Sequence, residues 1–207
     1  MVDGCGYFVS LDGPSGVGKT TVSALLVGKL RTLGINAVLT ATPSKSAIGE
    51  LARSSTFDFH GRALTCLVAA DRHHHDEVTV RPGISKGVSI VCDRYVASSF
   101  VLDVRDGVPP EFLRSVYDGL TVPDVSFFLF GNPGVCMERA AARGQYSRFH
   151  YVDVDEAVAE LRAFEVAADA LSAIGYPVHR YDIADTTADQ VVDALLPVVL
   201  SAKENGP

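Results

Sequence analysis

Long apolar runs are missing from this chain of 207 residues. None approaches the roughly 20 residues that a membrane-crossing helix needs, so no helical membrane span is expected. An excess of basic residues is missing as well. Lys and Arg number 18 against 25 Asp and Glu, a net charge of -7. That balance speaks against wholesale binding to nucleic acid or to an anionic membrane surface, since both want a basic face. A local basic site can still sit inside an acidic total. Cysteine is sparse, and Cys5, Cys66, Cys92 and Cys136 show no CxxC or Cys/His ligand spacing. Reduced thiols in a reducing compartment are expected, with no structural zinc. The opening MVDGCGYFVSLDG has no basic region leading into an apolar stretch, so no signal peptide is expected. Repeats, low-complexity tracts and Ser/Gly-rich linkers are absent too. What remains, 47% apolar and 21% charged, suits one packed cytoplasmic domain over residues 1–207.

Short apolar runs alternate with longer stretches of helical spacing. YFVSLD (7–12), AVLT (37–40), SIVCD (89–93), VSFFLF (125–130) and VHRYD (178–182) are brief and rich in β-branched or aromatic residues. Between and after them lie 19–34, 61–78, 109–120, 133–144, 155–175 and 187–202, where apolar residues recur with helical period. This alternation predicts a parallel sheet covered by helices on both faces. The continuous apolar character of the strands agrees, because such strands are buried on both sides. Gly34 and Gly175 mark left-handed helix ends, and Pro109, Pro110 and Pro133 mark helix starts. RGQYSRFHYVD (143–153) is too polar and aromatic for a core helix and reads as a short lid.

One motif carries specific chemistry. Gly13-Pro14-Ser15-Gly16-Val17-Gly18-Lys19-Thr20 matches G-x-x-x-x-G-K-[ST] in full, between a predicted strand and a predicted helix. Its glycines let successive backbone N–H groups curl around an anion, and the helix that begins near Lys19 adds its positive end. The candidate ATP-binding residues therefore run from Gly13 through Thr21. Lys19 would reach the β- and γ-phosphates, and Thr20 would ligate Mg²⁺ together with Asp93, which closes SIVCD. No guanine-reading Asn-Lys-x-Asp occurs. The expected ligand is Mg-ATP rather than a GTP switch.

Three further pieces fall in order: AADR (69–72), RPGISKG (81–87) and DRYVASS (93–99). With SAIGELAR (46–53) and RGQYSRF (143–149) they resemble the thymidylate kinases over roughly residues 7–165. The resemblance implies a P-loop NTPase fold, a three-layer α/β/α sandwich on a five-stranded parallel sheet with a short lid. It implies transfer of the ATP γ-phosphoryl group to a nucleoside monophosphate, and it implies a homodimer. By the same resemblance Arg94 grips the acceptor phosphate and Arg72 hydrogen-bonds the base. Asp12, Val68, Ser98, Ser99 and Leu102 complete the acceptor site. With no arginine inside the phosphate loop, the chain looks like the design in which the lid supplies cations, here Arg143 and Arg148. The catalytic set is then Lys19, Asp93, Arg94, Arg143 and Arg148.

The acceptor half departs from the family pattern. Val68 stands where an aromatic ring usually stacks on thymine, and Leu102 where a tyrosine is common. Thr42 and Ser15 replace acids, and His150 replaces the lid glutamate. The cradle is intact. Altered base choice is expected, toward a bulkier or modified pyrimidine, with Phe100 as a substitute ring. Three alternatives stand beside it: an ordinary dTMP kinase, a kinase for a nucleoside or other small hydroxyl with Asp93 or Asp12 as base, and a nucleotide-binding regulator without turnover. His73, His74 and His75 cannot converge on one ion from a helix, and are expected to line or flank the acceptor pocket. The acidic run 153–160 reads as a solvated helix start.

Overall fold

All five apolar runs become strands: β1 (Phe8–Asp12), β2 (Ala37–Ala41), β3 (Ser89–Asp93), β4 (Val125–Phe130) and β5 (Val178–Asp182). The computed structural model describes residues 6–144, 147–149 and 153–204. Cys5 and the first residues, His150 and part of the expected lid lie outside them. The strands form one sheet in the order β2-β3-β1-β4-β5, every pair parallel. Leu11 pairs with Asp93 and Asp12 with Phe128, so β1 and β3 end side by side while β4 runs on to Phe130.

Alternation along the strands sends side chains to two helical layers. Val9, Leu11, Phe127 and Leu129 pack with α1 (Lys19–Thr32) and α9 (Ala188–Glu204). On the other face Phe8, Ile90 and Cys92 pack against α3 (Gly61–His75) and its surroundings. Phe128 on the same face meets α5 (Val96–Arg105) and α8 (Val154–Ala173). The remaining helices are α2 (Ala47–Ser54), α4 (Arg81–Ser85), α6 (Pro110–Val116) and α7 (Pro133–Ala141). This is the expected three-layer arrangement. The chain leaves β1 toward one face and β3 toward the other, which opens a crevice at their carboxyl ends.

Two differences from the expected elements matter. The helix expected over 61–78 ends at His75 and continues as a π-helical turn (Asp76–Val80) into α4. The helix α5 is not among the expected helices: no capping residue stands at its start, and its cap comes from elsewhere. Asp12 Oδ1 at the end of β1 accepts from Tyr95 N at 3.0 Å, Ser98 N at 3.0 Å and Ser98 Oγ at 2.6 Å. The left-handed glycines fall where expected, Gly34 at φ 77° and Gly175 at φ 84°.

Candidate active site

The phosphate loop joins β1 to α1 over the crevice. Gly16 has φ 78°, and a Cβ there would lie 1.9 Å from the Cys136 carbonyl oxygen on α7, so only glycine fits. The helix α1 starts at Gly18 with no side-chain cap and no acid in its first turn. Its first amides are therefore available to an anion, and the helix dipole favours one. Lys19 is 5% exposed and donates to the carbonyl oxygens of Gly13 at 2.9 Å and Pro14 at 2.7 Å. Burial, and then the nearby Arg94 guanidinium, lower its pKa to about 7 against the pull of Asp93, Glu160 and Asp12. Ser15, Gly16, Gly18, Lys19 and Thr20 face the crevice cavity. Val17 points into the core and Thr21 to solvent.

Across the crevice, Thr20 Oγ1 donates to Asp93 Oδ2 at 2.5 Å. Two hard oxygens side by side suit Mg²⁺, which binds through one or two protein oxygens, water and phosphate. No group of three or more His, Cys, Asp or Glu among the described residues gathers for a metal ion. Arg94 follows at φ 67°, the one non-glycine with positive φ among the described residues. Such a residue costs about 1 kcal/mol or more and persists only where its surroundings hold it. Here its N donates to Leu11 O, and its O accepts from Thr42 Oγ1 at 2.9 Å. Its guanidinium reaches Gly13 O at 3.3 Å, Ser98 Oγ at 3.1 Å and Ser15 Oγ at 3.4 Å. The backbone twist aims the side chain across the phosphate loop.

The cavity, about 290 Å³ in all, extends away from the loop. Arg72, Ser98, Ser99, Val68 and Leu102, the residues expected at an acceptor site, line this cavity together. Arg72 is 2% exposed, lies over the Tyr117 ring, and donates to Ser99 Oγ and, at 3.4 Å, to Thr42 Oγ1. The wall also holds Arg53, Asp103 and Phe149, which the sequence reading did not single out. Asp12 is a correction: it is 1% exposed, caps α5 from below and does not reach the cavity.

A family model described as thymidylate kinase matches residues 11–174. The chain belongs to the thymidylate kinase family. A probable thymidylate kinase of Pyrococcus abyssi is 32% identical over 154 residues, covering 70% of this chain and 74% of that protein. A thymidylate kinase of Ectopseudomonas mendocina is 31% identical over 214 residues, covering 95% and 98%. Among solved structures, a thymidylate kinase from Candida albicans matches with a TM-score of 0.76 at 20% identity, over 98% of this chain and 94% of that one. That last likeness shows the fold alone.

Within this family member Arg143 and Arg148 part company. Arg143 lines the cavity. Arg148 instead pairs with Asp106 at the end of α5 and lies 4.3 Å from the centre of the Phe149 ring. It is not on the cavity wall, which corrects its expected place beside the transferred group. Asp106 also accepts from Gly61 N, and these bonds hold its carboxyl below the ordinary range although partial burial opposes them. Phe100 packs in the core between α5 and its neighbours, so Phe149 is the ring at the cavity and Phe100 is not. The histidines diverge: His73 Nε2 donates to Val116 O at 2.8 Å, while His74 and His75 line a neighbouring groove that shares Thr20 and Asp93 with the main cavity. Glu160 also departs from expectation. The run 153–160 does cap α8, with Asp153 accepting from Glu156 N at 2.9 Å. Its last residue is fully buried, however, and accepts from Ser15 N of the phosphate loop at 3.3 Å.

Proposed function

We propose that the chain transfers the γ-phosphoryl group of ATP to the phosphate of a pyrimidine nucleoside monophosphate, giving ADP and the nucleoside diphosphate. The observation that carries this reading is a single cavity with Lys19 and the phosphate loop at one end, Arg94 at its middle and Arg72 at the other end. Two polyanions can enter it in line. Membership of the thymidylate kinase family supports the same reaction.

The loop amides and Lys19 hold the β- and γ-phosphates, and Arg94 grips the acceptor phosphate. An oxygen of that phosphate, already anionic, attacks the γ-phosphorus as the bond to the β–γ bridging oxygen breaks. ADP leaves with that bond pair, and no strong base is required. Arg143 adds charge from the lid side as the transition state spreads negative charge over the transferred oxygens. Mg²⁺, held by Thr20 and Asp93, would supply neutralisation of the phosphate oxygens. Arg72 reads the base.

Val68 in place of an aromatic platform forfeits stacking worth about 1–3 kcal/mol and widens the pocket. A modified pyrimidine is the acceptor this favours. One kinase domain with residues 143–153 as lid, a homodimer and a cytoplasmic setting belong to the same reading. Cys66, Cys92 and Cys136 are free thiols, and no helix among the described residues is long and apolar enough to cross a membrane. The test is an ADP-release screen over nucleosides and their monophosphates with Lys19→Ala as blank. Activity is expected only with monophosphates, absent in Lys19→Ala and severely reduced in Arg94→Ala. ADP release that needs no acceptor, or that only nucleosides elicit, would refute the reading.

A further inference from the structure

Two opposite charges are buried on the acceptor wall without touching each other. Asp103 is 4% exposed and Arg72 2%, and both face the cavity. Neither takes part in an ion pair among the described residues. Two hydroxyls stand between them instead. Arg72 Nη1 donates to Ser99 Oγ, Ser99 Oγ lies 2.8 Å from Tyr117 Oη, and Tyr117 Oη donates to Asp103 Oδ2 at 3.3 Å. That last link is long for an O–H bond to a carboxylate, where about 2.5–2.7 Å is usual. Burial raises the Asp103 carboxyl above its ordinary range, against the lowering pull of Arg72, Ser99 and Tyr117.

A buried carboxylate that no cation among the described residues touches gains from a partner that arrives. The site's own chemistry describes that partner. A guanidinium only donates, and an ionised carboxylate only accepts. Arg72 commits Nε and Nη1 to Thr42 and Ser99, while Nη2 makes no hydrogen bond among the described residues. The complement is a planar edge with a hydrogen-bond acceptor beside an N–H donor. Pyrimidine bases carry this pair as O4 beside N3–H, or as N3 beside an exocyclic amino group.

We propose that Asp103 accepts a hydrogen bond from an N–H of the acceptor base while Arg72 donates to the neighbouring acceptor atom, which makes Asp103 a specificity-determining residue. This rests on the monophosphate-kinase reading above and narrows it. The acceptor is a pyrimidine monophosphate whose edge N–H is unblocked. A base without that hydrogen leaves the carboxylate unmet and is rejected.

The test pairs substrates that differ at the donor. dTMP is compared with its N3-methyl analogue, in which a methyl replaces the hydrogen of N3–H and O4 stays a carbonyl. dCMP is compared with the pyrimidin-2-one analogue, in which hydrogen replaces the amino group. kcat/KM is measured for each pair in wild type, Asp103→Asn and Asp103→Ala, with thermal midpoints alongside. In wild type the donor-deleted member of the preferred pair is expected to be about 10- to 100-fold poorer. In Asp103→Ala that ratio falls to within about 3-fold, and Asp103→Asn, whose amide oxygen still accepts, lies between. A purely structural role would lower both members of a pair equally and keep the ratio, so an unchanged ratio in a folded Asp103→Asn overturns the proposal. Activity confined to purine monophosphates overturns it as well. Wild type inert toward every monophosphate would instead bring down the kinase reading on which it stands.

Discussion

Binding of Mg-ATP should take up a proton at pH 8, and Lys19 is the reason. Lys19 is 5% exposed, and among the described residues its Nζ donates only to the carbonyl oxygens of Gly13 and Pro14. Burial and Arg94 hold its pKa at about 7. At pH 8 the side chain is then roughly nine-tenths neutral, and at pH 6 about one-tenth neutral. A triphosphate beside it restores the charged form, because an opposite charge at contact favours ionisation. At pH 8 the terminal phosphate of ATP is itself already ionised and takes up little. The expected uptake is therefore about 0.9 proton per ATP at pH 8, falling toward about 0.1 at pH 6 from this group. Titration calorimetry in buffers of different ionisation enthalpy measures it directly, with Lys19→Met as the reference that lacks the titrating amine. The same depression has a stability consequence of fixed sign. Between pH 7 and about 10.5 the unfolded chain holds the Lys19 proton and the folded chain does not, so the Lys19 contribution to stability rises with pH across that window. A binding heat independent of buffer at pH 8, or the same uptake in Lys19→Met, would refute the argument.

Other outcomes follow from the same geometry. Arg94→Gly should be more stable than Arg94→Ala by about 1 kcal/mol, because φ 67° suits glycine alone of the two, and chemical denaturation checks it. Both variants should lose about 10³-fold in kcat/KM, since both lack the guanidinium. Arg143→Ala should lower kcat by a similar order. Arg148→Ala should stay within about 10-fold of wild type and be matched by Asp106→Ala, since the two residues anchor one another. A kcat for Arg148→Ala as low as that of Arg143→Ala would return Arg148 to the chemistry.

The phosphate loop and the five strands were legible along the chain. Their signals are local: glycines at fixed spacing, apolar runs that β1, β3 and β4 bury on both faces, and an apolar–polar boundary at each turn. The order of three family motifs likewise pointed to the fold and to Arg72, Arg94, Ser98 and Ser99 on one wall. Where the reading fell short, the missing partner lay far off in sequence. The helix α5 is capped by Asp12, 86 residues before Ser98, so no capping signature stands beside it. Glu160 sits in an acidic run that looks solvated, and only the packing of α8 onto the phosphate loop buries it.

Residue type and local spacing thus determined the parallel α/β fold and the place of its glycine-rich loop. Tertiary structure alone decided which charges share a cavity. Arg143 faces the cavity and Arg148 turns to Asp106, although both lie in one short segment of the chain. Asp12 left the acceptor wall and Asp103 joined it. The physical reason is that a charge acts through its distance and its burial, and both are set by chain segments that meet only when the fold closes.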